Sequence, residues 1–328
     1  MVWKQNHDCF PSLDQAVLWY IFSTDLLITM SPHERALVSL DGLSVGDAFG
    51  QCFFQGENAS AVRLQQRQLP PAPWYYTDDT EMALSVMAVL RRFGTIDQMH
   101  LARSFAEHYS YDRAYGPSMH RVLARIRAGE SWETVTASTF EGQGSYGNGA
   151  AMRVAPLGAF FADDLSRMVE QAARSAEITH SHPEGVTGAV AVAVAAATAW
   201  RIRNNGARPA HGEFIAQIVE RLPPSEVRSK LHRAQAMSSV ASLDYPISIL
   251  GNGTRLSAQD TVPYALWCCG QALEDYQEAL WLAVSAGGDS DTLCAIVGGV
   301  VACYVGAAGI PEEWRSRREP LPGWHLAP

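Results

Sequence analysis

The segment from Val186 to Asn204 is rich in alanine and valine, and it limits the fold of this chain more than any other stretch. Its length and alanine content favour a helix over a strand. Its small side chains also allow neighbouring backbones to approach closely. We therefore predict a long helix that packs closely against its neighbours.

Helical spacing of apolar residues recurs along most of the chain, and no segment has convincing hairpin residues. Ser31, Pro32 and Glu34 form a helix start, with serine as N-cap, proline at the first helical position and glutamate completing a capping box. Residues 32–50 continue that helical pattern, and the polar, proline-rich stretch Gln65–Pro73 predicts a loop. Further helices are predicted over Thr80–Phe93, Ile96–Ser110, Ser118–Ala128, Trp132–Thr139, Leu165–Ile178, Val186–Asn204, Glu213–Arg221, Ser225–Ala241, Thr261–Gly270, Tyr276–Ala286 and Leu293–Ile310. The sequence thus predicts one all-α domain over residues 31–328, preceded by an extension over residues 1–30 whose order the sequence does not fix.

The composition is that of an ordered globular protein, with 47% hydrophobic and 18% charged residues. A formal net charge of −9 argues against nucleic-acid binding, because phosphate contacts need a basic surface. Basic clusters such as Arg315–Arg318 are therefore interpreted as solvated surface, and we expect no nucleic-acid partner.

The six cysteines show no metal-type pairing. Cys268 and Cys269 are adjacent, and Cys294 and Cys303 share one apolar run. Buried free thiols are the expected state, which fits a reducing compartment such as the cytoplasm. The N-terminus lacks the basic segment and cleavage site of a secretory signal.

The apolar run Leu293–Ile310 is about long enough to span a bilayer. It directly follows an acidic cluster and contains several glycines. We interpret it as a core helix and expect no membrane association.

Two acidic clusters far apart in the chain resemble each other: "TDDT" at residues 77–80 and "DSDT" at residues 289–292. Each begins an apolar stretch, so each is also consistent with an ordinary helix start in which acids and hydroxyls act as caps. Four carboxylates close together in a helical core would repel one another unless a cation neutralised them. Their all-oxygen donors suit Mg²⁺, Mn²⁺ or Ca²⁺ and suit zinc poorly.

The segment Ser145–Arg153, "SYGNGAAMR", is glycine-rich and leads into an apolar stretch. Such a loop either forms a tight turn or lets backbone N–H groups approach phosphate oxygens. His180 and His182 in "THSHPEG" are spaced too closely to bind one metal from one helix face. They belong either to a surface turn or to the edge of a pocket.

Taken together, "GLSVGDAFG", "YTDDTEMAL", "YGNGAAMRVAPLG", "THSHPEG" and "GGDSDTLCAIVGG" occur in the order and rough spacing of the ADP-ribosylglycohydrolase family. The chain resembles that family, which includes dinitrogenase-reductase-activating glycohydrolases and ADP-ribosyl-acceptor hydrolases, from about Pro32 to Ile310. The resemblance implies a compact all-α fold with two Mg²⁺ ions, or Mn²⁺ in their place. It also implies hydrolysis of ADP-ribose from a modified acceptor, arginine on protein being the expected one.

The resemblance further assigns roles to individual residues. The implied metal ligands are Thr77, Asp78, Asp79, Asp289, Asp291 and Thr292. The implied ADP-ribose contacts are Tyr146, Gly147, Asn148, Gly149, Ala150, Ala151, Met152, Arg153, His180 and His182. Asp79 and Asp289 are also the expected catalytic carboxylates.

One departure from the family pattern concerns acid–base chemistry. Many members carry a glutamate a few residues after the first "GD" motif, where this chain has Phe53 or Phe54. Glu57 and Asp112 are the candidate substitutes. The missing glutamate leaves three alternatives to an active hydrolase open: an ADP-ribose-binding homologue without turnover, a structural homologue like the crystallin relatives, or an immunity protein that blocks a toxin ADP-ribosyltransferase.

Overall fold

The computed structural model describes residues 30–54, 57–238 and 242–326, with only the backbone described for residues 57–61. These residues form α-helices and short 3-10 turns without any β-strand, as predicted. The helices are α1 Pro32–Phe54, α2 Glu57–Gln66, α3 Asp78–Phe93, α4 Gln98–Glu107, α5 Pro117–Arg127, α6 Trp132–Ala137, α7 Ala155–Phe160, α8 Leu165–Glu177, α9 Pro183–Asn204, α10 His211–Val219, α11 Glu226–Ala234, α12 Asp244–Leu250, α13 Ala258–Gln271, α14 Tyr276–Val284, α15 Ser290–Val305 and α16 Glu312–Arg317.

The alanine- and valine-rich helix α9 lies in the core, where it packs against α7, α8, α13 and α15. In the described part of the chain, it alone is long and apolar enough to cross a membrane, and 89% of its apolar stretch is buried inside the protein. The shorter helix α15 is buried along nearly its whole length as well. The burial of α15 is as predicted for a core helix, and α9 forms the closely packed helix that its small side chains indicated.

Helices α1 and α15 touch through their backbones. A Cβ atom added at Gly46 would lie 2.1 Å from the carbonyl oxygen of Cys294, and one at Gly50 would lie 2.2 Å from that of Ser290. Only glycine permits this approach, because real Cβ contacts are much longer. The contact brings the first turn of α15 beside the C-terminal half of α1.

Several element boundaries differ from the prediction. Helix α2, which was not predicted, precedes the loop that was predicted over Gln65–Pro73. Helix α11 ends at Ala234, although the helical pattern in the sequence continues to Ala241. Helix α15 ends at Val305 because Gly306 adopts φ 73° and breaks the hydrogen-bond ladder. The predicted extension, residues 1–30, lies almost wholly outside the described residues, so the domain boundary there stays a prediction.

The basic cluster 315–318 is not simply solvated surface. Arg315 and Arg318 both form ion pairs with Asp41, and the Arg318 side chain is only 12% exposed. These pairs join α16 and its C-terminal flank to α1. The interpretation as free surface charge was wrong because ion pairing with a residue so distant in sequence leaves no local signal.

The described cysteines are all free thiols, and Cys268, Cys269, Cys294 and Cys303 are buried. This arrangement matches the sequence-based expectation. Cys9 lies outside the described residues.

Candidate active site

The first acidic cluster is held in place by Asp47, a fully buried carboxylate in the middle of α1. Thr77 donates to it from its backbone N–H (3.0 Å) and its hydroxyl (2.8 Å). Thr80 does the same at 3.1 and 2.5 Å. The start of α3 is therefore fixed against α1, and Asp78 and Asp79 project from that start. Sequence reasoning missed this anchor, although an aspartate among the apolar and small residues of "GLSVGDAFG" was a signal for it.

The second acidic cluster begins α15. Gly287 and Gly288 adopt φ 63° and 68°, so the chain turns sharply before Asp289. The Asn148 side-chain amide donates to Asp289 Oδ2 (2.6 Å) and to the Thr261 hydroxyl (3.0 Å). The glycine-rich segment is thereby joined directly to the second cluster.

The two clusters meet. Asp78, Asp79, Asp289 and Asp291 are all buried or nearly so, and all four line one cleft of about 450 Å³. Burial, and then repulsion from the neighbouring carboxylates, raises the pKa of each of Asp78 and Asp79 well above its usual value. The same causes, with a hydrogen bond to Asp291, raise the pKa of Asp289 to about 8. Asp47 behind them has its pKa raised to about 7, chiefly by burial. Ionisation of these carboxyl groups is therefore unfavourable unless a cation lies beside them.

The donor chemistry of this cleft fits a hard cation. Asp79 Oδ1 and Asp291 Oδ1 are buried and have no hydrogen-bond partner, which leaves two carboxylate oxygens unsatisfied. Within the described residues, however, no three His, Cys, Asp or Glu side chains are placed so that they could hold one metal ion together. Binding would therefore require the carboxylates to rotate toward a shared point.

The glycine-rich segment forms one wall of the cleft through Tyr146, Gly147, Asn148, Gly149 and Met152. Its backbone is fastened to the neighbouring loop before α13. Asn148 N–H donates to the Leu256 carbonyl (3.2 Å), and Ala258 N–H donates to the Tyr146 carbonyl (2.9 Å). These bonds make the wall a supported surface on which a ligand can lie.

Three residues of the same segment, Ala150, Ala151 and Arg153, are buried and do not line the cleft. Arg153 is fully buried, stacks on Phe105 at 4.4 Å, and donates to the Ser175 carbonyl and the Thr179 hydroxyl. Its guanidinium is therefore engaged inside the protein, away from any phosphate in the cleft. The sequence alone did not indicate that the Arg153 side chain points into the interior.

The mouth of the cleft carries Tyr146, which the sequence analysis selected, and several residues that it did not. Phe140 and Tyr146 are about half exposed, and their rings lie 6.5 Å apart at an interplanar angle of 27°. Arg255 and Leu256, in the loop that is hydrogen-bonded to the glycine-rich wall, also line the cleft. Arg255 is exposed, and no side chain or carbonyl in the described ranges accepts a hydrogen bond from its guanidinium. Phe54 is 52% exposed and also lines the cleft.

The model of the ADP-ribosylglycohydrolase family matches residues 29–325 of this chain. The chain belongs to the ADP-ribosylglycohydrolase family. Its relatives include human ADP-ribosylhydrolase ARH3, 29% identical, with 87% of this chain and 90% of the relative covered. An uncharacterised protein of Archaeoglobus fulgidus is 31% identical, with 83% and 88% covered. A solved "ADP-ribosylglycohydrolase-related protein complex" matches with a TM-score of 0.62, 26% identity and coverage of 88% and 93%.

The remaining predicted site residues of this family member are placed as follows. Thr292 and His180 line the cleft, whereas Thr77 lies behind it on Asp47. His182 caps α9 by accepting from Glu184 N–H (3.1 Å) and is not part of the lining.

Asp112 and Glu57 are the two candidate substitutes for the family glutamate, and the structure tests only the first. Asp112 is exposed and does not line the cleft, although Ala114–Ser118 just after it do. The Glu57 side chain lies outside the described residues. Their roles in proton transfer stay predictions.

Proposed function

We propose that this protein hydrolyses the bond between ADP-ribose and a modified acceptor, with divalent cations bound between its two acidic helix starts. The observation that carries the proposal is the convergence of Asp78, Asp79, Asp289 and Asp291 in one cleft beside a glycine-rich wall. Membership of the family supports the same reaction class.

The mouth of the cleft suits the adenine of ADP-ribose. Phe140 and Tyr146, with ring centroids 6.5 Å apart and planes inclined by 27°, offer exposed aromatic faces on which a flat base can stack. Base stacking on aromatic side chains contributes about 1–3 kcal/mol per base. We therefore assign Phe140 and Tyr146 to the adenine, which directs the rest of the ligand down the glycine-rich wall.

The diphosphate needs positive charge or N–H donors. Arg153 is committed to the protein interior, so Arg255 at the mouth is the arginine that serves this purpose. The backbone N–H groups of Gly147 and Asn148 already donate to Ser145 Oγ and to the Leu256 carbonyl, so that of Gly149 is the candidate to complete the contact. The distal ribose then reaches the carboxylates at the floor.

The cations would be held by Asp78, Asp79, Asp289 and Asp291, with the hydroxyls of Thr77 and Thr292 adjoining. Two Mg²⁺ ions, or Mn²⁺, are the proposed cofactors, because all donors are oxygens. When bound, they supply positive charge that offsets the buried carboxylates and orients oxygen atoms of substrate and water.

The protein's own groups then carry the proton transfers. Asp79, whose Oδ1 lacks a partner, is placed to accept a proton from the attacking water. Asp289 is held by Asn148 and so keeps its carboxylate directed into the cleft.

A second candidate function rests on Phe54. At the position where many relatives carry glutamate, this exposed phenyl ring lines the cleft and cannot transfer a proton. A protein that binds ADP-ribose without turnover would retain everything else described above.

The test uses proteins carrying ADP-ribose on arginine or on serine, incubated with the full-length protein and Mg²⁺. We expect release of free ADP-ribose, with the arginine-linked substrate as the sequence-based prediction. Binding of ADP-ribose in calorimetry without release from either substrate would favour the binding protein. The absence of both binding and release would contradict both candidates.

A further inference from the structure

His180 is buried beside the glycine-rich wall, with 5% of its surface exposed, and it lines the cleft. A Cβ atom on Gly147 would lie 3.1 Å from its Nε2, and one on Gly149 would lie 3.0 Å from the same atom. Nε2 therefore faces the segment that we assign to the ligand. No group in the described residues forms a hydrogen bond with Nε2.

The other ring nitrogen is connected to the protein interior. His180 Nδ1 lies 2.7 Å from the hydroxyl oxygen of Thr179, which in turn lies 2.9 Å from Arg153 Nη2. An arginine can only donate, so the Thr179 oxygen accepts from Arg153. Thr179 is 1% exposed, and Nδ1 is the remaining group within reach of its hydroxyl proton. The hydroxyl therefore donates to Nδ1.

This series of hydrogen bonds determines which nitrogen of the His180 imidazole carries the proton. If Nδ1 accepts, the single proton of the neutral ring must be on Nε2. The neutral form is itself favoured, because burial and then the charge of Arg153 lower the pKa of His180 to about 3. The ring thus presents one N–H donor to the cleft and no acceptor.

We propose that Arg153 and Thr179 are positioning residues that hold His180 in its Nε2–H tautomer, so that it donates a hydrogen bond to an oxygen of ADP-ribose. The inference rests on the proposed function for the identity of the ligand, but the tautomer belongs to the free protein. A donor at this point suits phosphate and ribose oxygens, whereas the opposite tautomer would place a lone pair against them.

Arg153 is itself held by several bonds. Its Nη1 donates to the Gly149 carbonyl (3.2 Å), and its Nη2 also donates to the Ser175 carbonyl (2.9 Å). The same guanidinium therefore ties the glycine-rich wall to the end of α8 and orients Thr179. If Arg153 served only to hold the glycine-rich wall against α8, its loss would affect folding but not which nitrogen of His180 carries the proton.

The experiment measures the tautomer by nitrogen NMR on full-length protein with ¹⁵N-labelled histidine. His180→Gln identifies the His180 signals. We expect an unprotonated Nδ1 and a protonated Nε2 in the wild-type protein. In Thr179→Val, which preserves shape and removes the hydroxyl, the proton should shift partly or fully to Nδ1. Thr179→Ser should retain the wild-type tautomer.

Affinity for ADP-ribose, measured by calorimetry on the same proteins, should fall about tenfold in Thr179→Val and remain near wild type in Thr179→Ser, as expected for one lost hydrogen bond. A protonated Nδ1 in the wild type would overturn the proposal and requires no variant. So would a Thr179→Val protein that keeps both the tautomer and the affinity. Failure of wild-type protein to bind ADP-ribose would instead contradict the proposed function and leave the tautomer result standing.

Discussion

The Asn148 amide donates to the Asp289 carboxylate over 2.6 Å, and this one bond joins the glycine-rich wall of the cleft to the start of α15. Residues separated by more than a hundred positions thus share one polar network, in which Thr261 is the third member. The position of the glycine-rich wall and the orientation of the Asp289 carboxylate are therefore coupled.

Replacing Asn148 tests that coupling. Asn148→Ala removes the donor to a buried carboxylate, so we expect a loss of about 1–3 kcal/mol in the free energy of unfolding. ADP-ribose release should fall at least about tenfold, because Asp289 loses its orientation. Asn148→Asp should be worse, since it adds another carboxylate beside Asp289. Urea denaturation and a release assay measure the two effects, and wild-type activity in Asn148→Asp would rule out the coupling.

The proposed contact between Arg255 and the diphosphate of ADP-ribose can be tested by substitution. Arg255→Ala should weaken ADP-ribose binding about tenfold, because a charge-assisted hydrogen bond contributes about 1.5–3 kcal/mol and solvent exposure reduces it. Adenosine, which lacks phosphate, should bind equally well to both proteins. Arg208→Ala is the matched control, since that side chain is 81% exposed and lies outside the cleft lining. Equal loss of affinity for adenosine would contradict the assignment.

The contact between α1 and α15 makes a prediction about stability. Gly46→Ala would place a methyl group 2.1 Å from the Cys294 carbonyl oxygen, so the helices must separate. We expect a loss of about 3 kcal/mol, or failure to fold. Gly323→Ala is the control, because nothing lies within 4 Å of its added Cβ and it should change stability by less than about 0.5 kcal/mol. Thermal unfolding of both variants compares them directly.

The raised carboxyl pKa values predict how pH and Mg²⁺ act together. Folded Asp47 and Asp289 have pKa values of about 7 and 8, above the ordinary value of 3.8, so their neutral forms stabilise the folded state at low pH. That stability is lost as pH rises toward 8 in EDTA-treated protein. Mg²⁺ competes with protons for Asp289, which is one of the proposed ligands, and its stabilisation should therefore grow over that range.

Differential scanning calorimetry at about pH 5 and at pH 8, with EDTA or with Mg²⁺, measures this interplay. We expect the melting temperature to rise with Mg²⁺ by several degrees at pH 8 and by much less at the lower pH. Asp289→Asn should weaken both the pH dependence and the Mg²⁺ effect. A Mg²⁺ effect that is equal at both pH values would argue against cation binding by these carboxylates.

Much of the site followed from local sequence, and the physical reason is that its parts are helix starts. Acids and hydroxyls before an apolar run fix where α3 and α15 begin, whatever the rest of the chain does. That four such carboxylates would converge was an expectation based on the likeness of the two clusters and on the family resemblance, and all four line one cleft.

The remaining features depend on tertiary geometry that no local pattern encodes. Asp47 is a buried aspartate among apolar and small residues of α1, and its partners lie about thirty positions away. Phe140 and Leu256 reach the cleft from backbone with positive φ, which loop sequences seldom reveal. Arg153 is in a predicted binding motif yet points inward, because its interior partners become neighbours only on folding.

The central claim is that the joined acidic helix starts support release of ADP-ribose. Asp289→Asn is the decisive variant, since it keeps the shape of the side chain and removes its charge. With Mg²⁺ present, wild-type protein should release ADP-ribose from a modified protein, and both Asp289→Asn and EDTA-treated protein should lose at least about a hundredfold in rate. A folded Asp289→Asn protein with wild-type rate, or unchanged release in EDTA, would contradict the account.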